Sequence, residues 1–390
     1  MRVESRRAGR ALLQLPGPTN VPDVVLQSIS RPTLDHRGEE FSDLARSVLA
    51  GLAPLFGTSR PVALYPGSGT GGWEAALVNT CSPGDRVLVF DNGFFAAKWG
   101  RLAAQLGLEV AVIEGVWGSP VDPALLAAQL TRDAAIRAVL VVHNETSTGV
   151  TSDIAAVRAA IDDVGHDALL LVDAVSSLGA MPVYHDAWRA DITVTASQKG
   201  LMLPPGLVAL AVSGKAHQAR QTAQMPCSYW DFEPMLEAAS TGSFPYTPSS
   251  NLIAGLATAL DLIESEGLDR VYARHRRLAE AVRVAVAAWG LPTVCRDPGS
   301  FSSSVTGVVL PSGVDEVAVR SELLSRFGLT LGGGLGRLAG SCLRIGHLGD
   351  VDEMMIISTL AATETVLAEI AQTPRGGVEA AMELLGNGRP

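Results

Sequence analysis

The chain has 390 residues, with 30 lysines and arginines against 40 aspartates and glutamates, so its formal net charge is −10. That acidic balance argues against a nucleic-acid surface or an anionic membrane surface as its site of action. Hydrophobic residues make up 47% of the chain, enough for a large core, yet no apolar run approaches the roughly 18 residues of a membrane span.

Cysteine usage and the N-terminus bear on the compartment. The four cysteines, Cys81, Cys227, Cys295 and Cys342, are too scattered for a metal site or a disulfide scaffold. The N-terminal segment has no long apolar stretch of the kind found in secretion signals. We therefore expect reduced thiols, no metal and a cytoplasmic protein.

From about residue 60 the sequence alternates short β-branched runs with Ala- and Leu-rich stretches, which is typical of βα units on a mainly parallel sheet. The predicted strands are Pro61–Tyr65, Arg86–Phe90, Val110–Ile113, Ala138–His143, Ala168–Val172, Ile192–Thr195 and Leu207–Val212. The predicted helices among them are Trp73–Thr80, Ala96–Leu106, Pro123–Leu130 and Ile154–Asp163.

The pattern changes after Asn251. The elements predicted there are helices Leu252–Glu266 and Leu268–Trp289, strand Ser304–Leu310, helix Val314–Phe327, strand Leu343–Ile345 and helix Val351–Ile370. We expect an N-terminal arm over residues 1–20, a large α/β domain over 21–255 and a smaller C-terminal α+β domain over 256–390. The last twenty residues, which contain several glycines, are expected to be partly mobile.

A glycine-rich run, Gly67-Ser68-Gly69-Thr70-Gly71-Gly72, lies between the first predicted strand and the helix that follows it. Free N–H groups at a helix start, together with two hydroxyls, suit a phosphate group. The letters also match G-x-G-x-x-G, which with Asp91 as a ribose ligand would make a dinucleotide site. A tight strand-to-helix turn is the structural alternative.

Lys199 is one of only three lysines, and no other charged residue lies between Asp191 and Lys215. An ammonium in apolar surroundings tends to lose its proton, and the neutral amine suits Schiff-base formation with a carbonyl. Asp173 follows an apolar strand, where a partly buried carboxylate needs a positive partner such as a pyridinium nitrogen. A solvated loop lysine and an ordinary aspartate cap are the alternatives.

Two further segments carry polar groups at strand ends. Arg344 lies between apolar neighbours, so it suits either a clamp on a substrate carboxylate or a structural salt bridge. The run His143–Gly149 suits a polar ligand or a hydrogen-bonded turn. Taken in order, a phosphate cradle, an acid, a lysine and an arginine match the four needs of pyridoxal 5'-phosphate and an amino-acid substrate.

Longer motifs connect the chain to a known family. They are Leu15-Pro16-Gly17-Pro18-Thr19-Asn20-Val21-Pro22, Asp35-His36-Arg37-Gly38, His143-Asn144-Glu145-Thr146-Ser147-Thr148-Gly149-Val150, Ser197-Gln198-Lys199-Gly200-Leu201-Met202-Leu203-Pro204-Pro205-Gly206, Tyr229-Trp230-Asp231 and Leu343-Arg344-Ile345-Gly346-His347-Leu348-Gly349. With these motifs the chain resembles the class V, fold-type I aminotransferases of the alanine–glyoxylate and serine–glyoxylate group over nearly its whole length. The motifs that begin at Asp35, His143, Ser197 and Tyr229 resemble the bacterial serine–glyoxylate branch in particular.

The resemblance implies the roles of individual residues. Lys199 would form the imine with pyridoxal 5'-phosphate and then move a proton, Asp173 would pair with the ring nitrogen, and Arg344 would hold the substrate carboxylate. The residues implied around the rest of the cofactor are Ser68, Gly69, Thr70 and Gln198 at the phosphate, Phe95 and Val175 on the ring faces, and Thr146 near the ring hydroxyl. Thr247 of the partner subunit would also reach the phosphate, which implies a homodimer with shared active sites.

The implied reaction is a ping-pong transamination. L-Serine would give its amino group and leave as hydroxypyruvate, and glyoxylate would accept that group and become glycine. Within the family, alanine or ureidoglycine are alternative donors. The sequence pattern typical of cysteine desulfurases has histidines at the positions of Phe95 and Gln198. The desulfurase activity therefore fits this chain less well. From another class, a nicotinamide-dependent oxidoreductase built on Gly67–Gly72 remains as an alternative.

Overall fold

The structure is a computed structural model that describes residues 11–387, so the first half of the predicted arm and the last three residues lie outside it. The strands are β1 (Leu12–Gln14), β2 (Val62–Gly67), β3 (Arg86–Asp91), β4 (Glu109–Glu114), β5 (Ile136–Val142), β6 (Asn144–Glu145), β7 (Val150–Thr151), β8 (Leu169–Asp173), β9 (Ile192–Ala196), β10 (Gly206–Val212), β11 (Val305–Val309), β12 (Leu329–Gly333) and β13 (Cys342–Gly346).

The helices follow the same alternation. They are α1 (Asp23–Ile29), α2 (Glu39–Phe56), α3 (Gly69–Thr80), α4 (Phe94–Gln105), α5 (Pro123–Arg132), α6 (Ile154–Asp163), α7 (Gly214–Arg220), α8 (Phe232–Thr241), α9 (Ser250–Glu266), α10 (Leu268–Ala288), α11 (Glu316–Glu322), α12 (Glu353–Ile370) and α13 (Gly377–Asn387). A π-helical turn, Leu323–Phe327, continues α11, so the single helix predicted over Val314–Phe327 is divided. No helix in the described part of the chain is long and apolar enough to span a membrane.

A seven-stranded sheet forms the larger half of the molecule, with the strand order β2-β10-β9-β8-β5-β3-β4. Only β10 runs antiparallel to its neighbours, so the prediction of a mainly parallel sheet is confirmed. All seven predicted strands are present, within two residues at each end. They were predictable because strands covered on both faces read as continuous apolar runs.

Helices cover both faces of this sheet, and alternate residues of β8 show how. Leu170 and Val172 point into one core cluster, which α2, α5, α6 and α9 complete. Leu169 and Leu171 point into the other, which α3, α4, α7 and α8 complete. Because side chains alternate along a strand, five buried residues of one strand can serve two cores.

A second, four-stranded sheet has the order β1-β12-β13-β11 and packs against α10, α12 and α13. Its edge strand, β1, comes from the N-terminal segment and pairs in parallel with β12, with Leu12 opposite Leu329. Neither of these strands was predicted, because β1 has three residues and β12 ends in two glycines. The exact division of the chain into domains stays a prediction.

The C-terminal segment was expected to be partly mobile, but its described part is packed on the fold, and only residues 388–390 lie outside the described residues. Residues of α13 pack against α10, and Ala381 is fully buried. The Glu364 carboxylate accepts hydrogen bonds from the backbone N–H groups of Gly376, Gly377 and Val378, and so caps this helix. A Cβ at Gly377 would lie 2.3 Å from the indole nitrogen of Trp289, so this glycine serves close packing rather than flexibility.

Candidate active site

The ends of several strands meet around one cavity. Parallel strands place their carboxyl ends at one edge of a sheet, where α/β proteins bind ligands, and here β2, β8 and β9 end at a cavity of about 220 Å³. The residues that line it are Gly17, Pro18, Ser68, Gly69, Thr70, Trp73, Phe95, Thr146, Asp173, Val175, Ser176, Gln198, Lys199 and Pro205. Nine of the residues predicted for the site are therefore brought together.

Lys199 lies three residues beyond the end of β9, and its side chain is buried. Its Nζ donates a hydrogen bond to the Pro16 carbonyl oxygen at 2.5 Å, and within residues 11–387 no carboxylate lies within 4.0 Å. Burial, helped by the charge of Arg344, lowers the pKa of Lys199 to about 8, although Asp173 and Glu145 oppose this shift. A substantial fraction of this amine is thus neutral just above neutral pH, as a nucleophile requires.

Asp173 is the last residue of β8 and is almost fully buried. One carboxylate oxygen accepts from the Val175 backbone N–H at 2.6 Å and the other from the Trp73 indole N–H at 3.0 Å. Burial raises the pKa of Asp173 to about 7 against these hydrogen bonds, and the charge of Glu145 adds to the rise. A cationic N–H placed in the cavity would favour the ionised carboxylate.

The N-terminus of α3 forms one end of the cavity. The helix begins at Gly69, four residues earlier than predicted, because the glycines of the motif form its first turn. A Cβ at Gly69 would lie 2.8 Å from Val175, and one at Gly72 would lie 2.5 Å from Val194. The Ser68 side chain makes no cap hydrogen bond, so this hydroxyl and the first N–H groups of the helix are available to an anion.

Phe95 reaches the cavity from the first turn of α4, where Glu145 holds the backbone. One Glu145 oxygen accepts from the N–H groups of Phe95 and Ala96, at 3.1 and 3.0 Å. The other accepts from the N–H and hydroxyl of Ser147, at 3.0 and 2.6 Å. Burial raises the pKa of Glu145, while these hydrogen bonds favour its charged form.

Arg344 projects from β13 and is partly buried. Its Nε donates to the Gly333 carbonyl oxygen at 2.7 Å and its Nη1 to the Thr146 carbonyl oxygen at 3.2 Å. The described residues offer no carboxylate within 4.0 Å, so the alternative of a structural salt bridge finds no support. Burial lowers the pKa of Arg344, and its remaining N–H groups are available to an anionic substrate group.

Two predicted binding residues differ in their surroundings. Gln198 lines the cavity, and its buried Oε1 has no hydrogen-bond partner among the described residues. Thr247 is exposed and lies away from the cavity of its own chain, so its contact with a partner subunit stays a prediction.

The dinucleotide alternative fails at its acidic residue. Asp91 accepts a hydrogen bond from the Trp117 indole N–H at 3.0 Å and forms an ion pair with Arg337. Both carboxylate oxygens are therefore already engaged by protein groups. Asp91 therefore has no free carboxylate oxygen for a ribose hydroxyl, and it stabilises the fold instead.

Sequence reasoning did not identify several residues of the cavity. Trp73 donates to Asp173, Ser176 accepts from the Thr146 hydroxyl at 2.8 Å, and Gly17 lies against the Lys199 side chain. A Cβ at Gly17 would lie 2.3 Å from Lys199 Cδ. No local signal marks these three residues, whereas Glu145, an acid inside a buried polar run, offered one.

Comparison with known proteins decides the family. The model of the class V aminotransferases matches residues 12–336. The chain belongs to the class V aminotransferase family. Enzymes of this family depend on pyridoxal phosphate.

Relatives of this aminotransferase cover almost its whole length. The serine–glyoxylate aminotransferase of Methylorubrum extorquens is 44% identical over 98% of this chain and 97% of its own. The L-aspartate–glyoxylate aminotransferase of Paracoccus denitrificans is 43% identical over 95% and 94%. The crystal structure of pyridoxamine–pyruvate aminotransferase from Mesorhizobium loti superposes with a TM-score of 0.91 at 31% identity, covering 97% of this chain and 98% of that one.

The cavity of this class V aminotransferase fits the family's cofactor. A buried carboxylate at Asp173 matches a ring N–H, and an uncapped helix N-terminus at Ser68 matches a phosphate. The Gln198 Oε1 lacks a hydrogen-bond partner among the described residues, and the buried Lys199 amine lies in the same cavity, where it could bond the aldehyde. The expectation of pyridoxal phosphate dependence is confirmed at the level of the family.

Proposed function

We propose that this protein is a serine–glyoxylate aminotransferase, which moves the amino group of L-serine to glyoxylate and so forms hydroxypyruvate and glycine in a ping-pong reaction. The observation that carries the chemistry is the buried Lys199 amine, held in one cavity with the Asp173 carboxylate. The full-length relatives named as serine–glyoxylate aminotransferases support the choice of donor and acceptor.

Pyridoxal phosphate, when bound, supplies the aldehyde that takes up the amino group and a ring that stores the electron pair. The Lys199 amine is the group of this chain that would bond that aldehyde, since its lowered pKa leaves part of it unprotonated near pH 8. Once the substrate amine replaces it, the freed Lys199 amine would take the proton from the donor's Cα and deliver it to the carbon that was the aldehyde carbon of the cofactor. Until it bonds the aldehyde, the amine donates a hydrogen bond to the Pro16 carbonyl oxygen.

The other proposed roles follow from charge and position. Asp173 would keep the ring nitrogen protonated, because a buried carboxylate gains most from a cationic partner. Arg344 would hold the substrate carboxylate through the N–H groups that Gly333 and Thr146 leave free. Phe95 and Val175 would enclose the ring, and Ser68, Gly69, Thr70 and Gln198 the phosphate, while Thr146 would lie near the ring hydroxyl.

L-Aspartate is a second candidate donor. A relative as similar as those named serine–glyoxylate aminotransferases is named L-aspartate–glyoxylate aminotransferase. Small changes in a pocket distinguish similar amino acids by only about 1–3 kcal/mol, so overall identity does not separate these donors. Alanine and ureidoglycine are the remaining candidates within the family.

Half-reactions with each donor test the proposal. Serine, aspartate, alanine and ureidoglycine are mixed singly with the holoenzyme, and the visible absorption of the cofactor is followed in a stopped-flow instrument. Serine should react with the highest second-order rate constant. Glyoxylate should then reverse the change in visible absorption. Lys199→Ala should abolish turnover, whereas Lys215→Ala, at a lysine outside the cavity, should retain it.

Two outcomes contradict different parts of this proposal. A tenfold preference for another donor would replace serine but leave the reaction class intact. Sustained multiple turnover by Lys199→Ala would refute the reaction class itself.

We extend the proposal to assembly and compartment. The exposed position of Thr247 supports a homodimer in which this residue reaches the other subunit's cavity, and a mass in solution equal to one chain would exclude that. All four cysteines are free, which supports the reducing cytoplasm as the compartment.

A further inference from the structure

Lys98, one of the three lysines, lies beside the cavity without being used by the reaction described above. It projects from α4, and its side chain is partly buried. Its Nζ lies 3.4 Å from the Thr70 hydroxyl and 5.8 Å from the centre of the Trp73 ring. Within the described part of the chain no carboxylate lies within 4.0 Å of this ammonium.

The charge of the cavity makes this position significant. Lys199 is the only basic residue among those that line it, and the proposed chemistry uses Lys199 as a neutral amine. A phosphate monoester carries a charge of about −1.5 to −2 near pH 7. The N-terminus of α3 offers only about half a positive charge, so a phosphate bound there lacks a full cationic partner from its own subunit.

We propose that Lys98 is a further phosphate-binding residue of the cofactor site, acting through the Thr70 hydroxyl. A hydroxyl can accept one hydrogen bond and donate another at the same time. Lys98 donates to Thr70 Oγ1, which leaves the Thr70 proton for a phosphate oxygen, and the ammonium charge lies directly behind that bond. The inference rests on the proposed placement of the phosphate at Ser68, Gly69 and Thr70.

The test separates the phosphate from the rest of the cofactor. Apo-protein is titrated with pyridoxal phosphate and, separately, with pyridoxal, which lacks the phosphate, and binding is followed by tryptophan fluorescence. For Lys98→Met the dissociation constant of pyridoxal phosphate should rise about tenfold, the effect of losing one partly screened charge-assisted contact. The dissociation constant of pyridoxal should change by less than about twofold.

Two further variants provide the controls. Lys98→Arg keeps the charge and should restore most of the affinity for pyridoxal phosphate. Arg101→Met removes a positive charge from an exposed position one turn further along α4 and should leave both dissociation constants unchanged. Added salt should reduce the difference between the wild-type protein and Lys98→Met, since it screens the ammonium.

Each alternative result has a distinct meaning. Equal weakening of both ligands by Lys98→Met would assign Lys98 a packing role and overturn the inference, as would an unchanged affinity for pyridoxal phosphate. In either case the proposed aminotransferase function would stand. If the wild-type apo-protein bound neither ligand, the proposed function would fall together with the inference.

Discussion

At the scale of single residues, the cavity combines groups whose charges the protein does not balance by itself. Asp173 has two N–H donors but no cation within ion-pair distance in the described chain, and Lys199 has a carbonyl acceptor but no close carboxylate. Burial therefore moves the pKa of Asp173 up and that of Lys199 down. Both shifts favour the neutral forms, and the shift of the acid would diminish once a cation is bound.

Replacing Asp173 tests its charge separately from its shape. Asp173→Asn keeps the volume but loses the negative charge, so the ring nitrogen of the cofactor would no longer be held protonated. We expect the transamination rate constant to fall by about a hundredfold or more, the usual effect of removing one electrostatic stabiliser. Stopped-flow half-reactions with serine measure it.

The matched control for this variant is Trp73→Phe, which keeps the carboxylate and removes one of its hydrogen bonds. Its transamination rate constant should fall only about tenfold, because a hydrogen bond from one neutral donor contributes about 1–1.5 kcal/mol. If Asp173→Asn kept a rate within threefold of the wild-type protein, the proposed role of this carboxylate would be wrong.

At the scale of elements, the features that could be predicted were those that depend on residues close together in the sequence. The strands β5, β8 and β9 were predicted because their residues are buried on both faces and therefore apolar throughout. Strand β1 was missed because its three residues carry no periodicity, and its partner β12 lies more than 300 residues away. The start of α3 was placed late because glycines in a helical turn resemble a loop in sequence.

The same reasoning explains which parts of the site were predictable. Asp173 ends a strand, and Lys199 and the residues from Ser68 to Thr70 follow strands; strand ends can be predicted from the sequence. The contacts of Trp73 with Asp173 and of Gly17 with Lys199 join residues 100 or more positions apart. Such contacts depend on the packed fold, so local sequence patterns do not announce them.

The Glu145 cap on α4 leads to a prediction at this scale. Glu145→Gln should weaken the hold on Phe95, because an amide cannot accept on its nitrogen as a carboxylate oxygen does. We expect a loss of about 1–3 kcal/mol in the free energy of unfolding, measured by urea denaturation. Because the Glu145 charge raises the pKa of Lys199, the variant should also form the imine with added cofactor at lower pH than the wild-type protein.

A variant at Ser147 separates these two effects. Ser147→Ala removes one hydrogen-bond donor to Glu145 but keeps the carboxylate. This variant should therefore lose stability, while the pH midpoint of imine formation should not move downward. If the two variants formed the imine with the same pH profile, the charge of Glu145 would have no influence on the pKa of Lys199.

At the scale of the whole molecule, four buried histidines make the fold sensitive to acid. Burial lowers the pKa of His143, His185 and His275 to about 4 and that of His347 to about 3. In the unfolded chain these imidazoles have a pKa near 6.5 and take up protons first. The unfolded state therefore binds more protons below about pH 6.5, and acid destabilises the folded state.

Denaturation at two pH values measures this sensitivity. Each histidine contributes about 1 kcal/mol of lost stability between pH 7.5 and 5.5, so the urea midpoint should fall clearly at the lower pH. His185→Gln, at a histidine whose Nε2 has no partner in the described structure, should reduce that fall by about a quarter. An equal fall in both proteins would assign the acid sensitivity to the carboxylates instead.

The N-terminal strand also fixes the order in which a nascent chain can complete its active site. Thr19 bonds to the carbonyl oxygen of Lys199, Pro16 accepts from its amine, and β1, just before them, is held by β12. While residues 300–333 are still within the ribosome, β1 has no edge to join, although every strand of the large sheet has already been made. Strand β1 thus takes its place only after β12 has been made, and the segment that holds Pro16 and Thr19 against Lys199 is anchored later than the large sheet that carries Lys199.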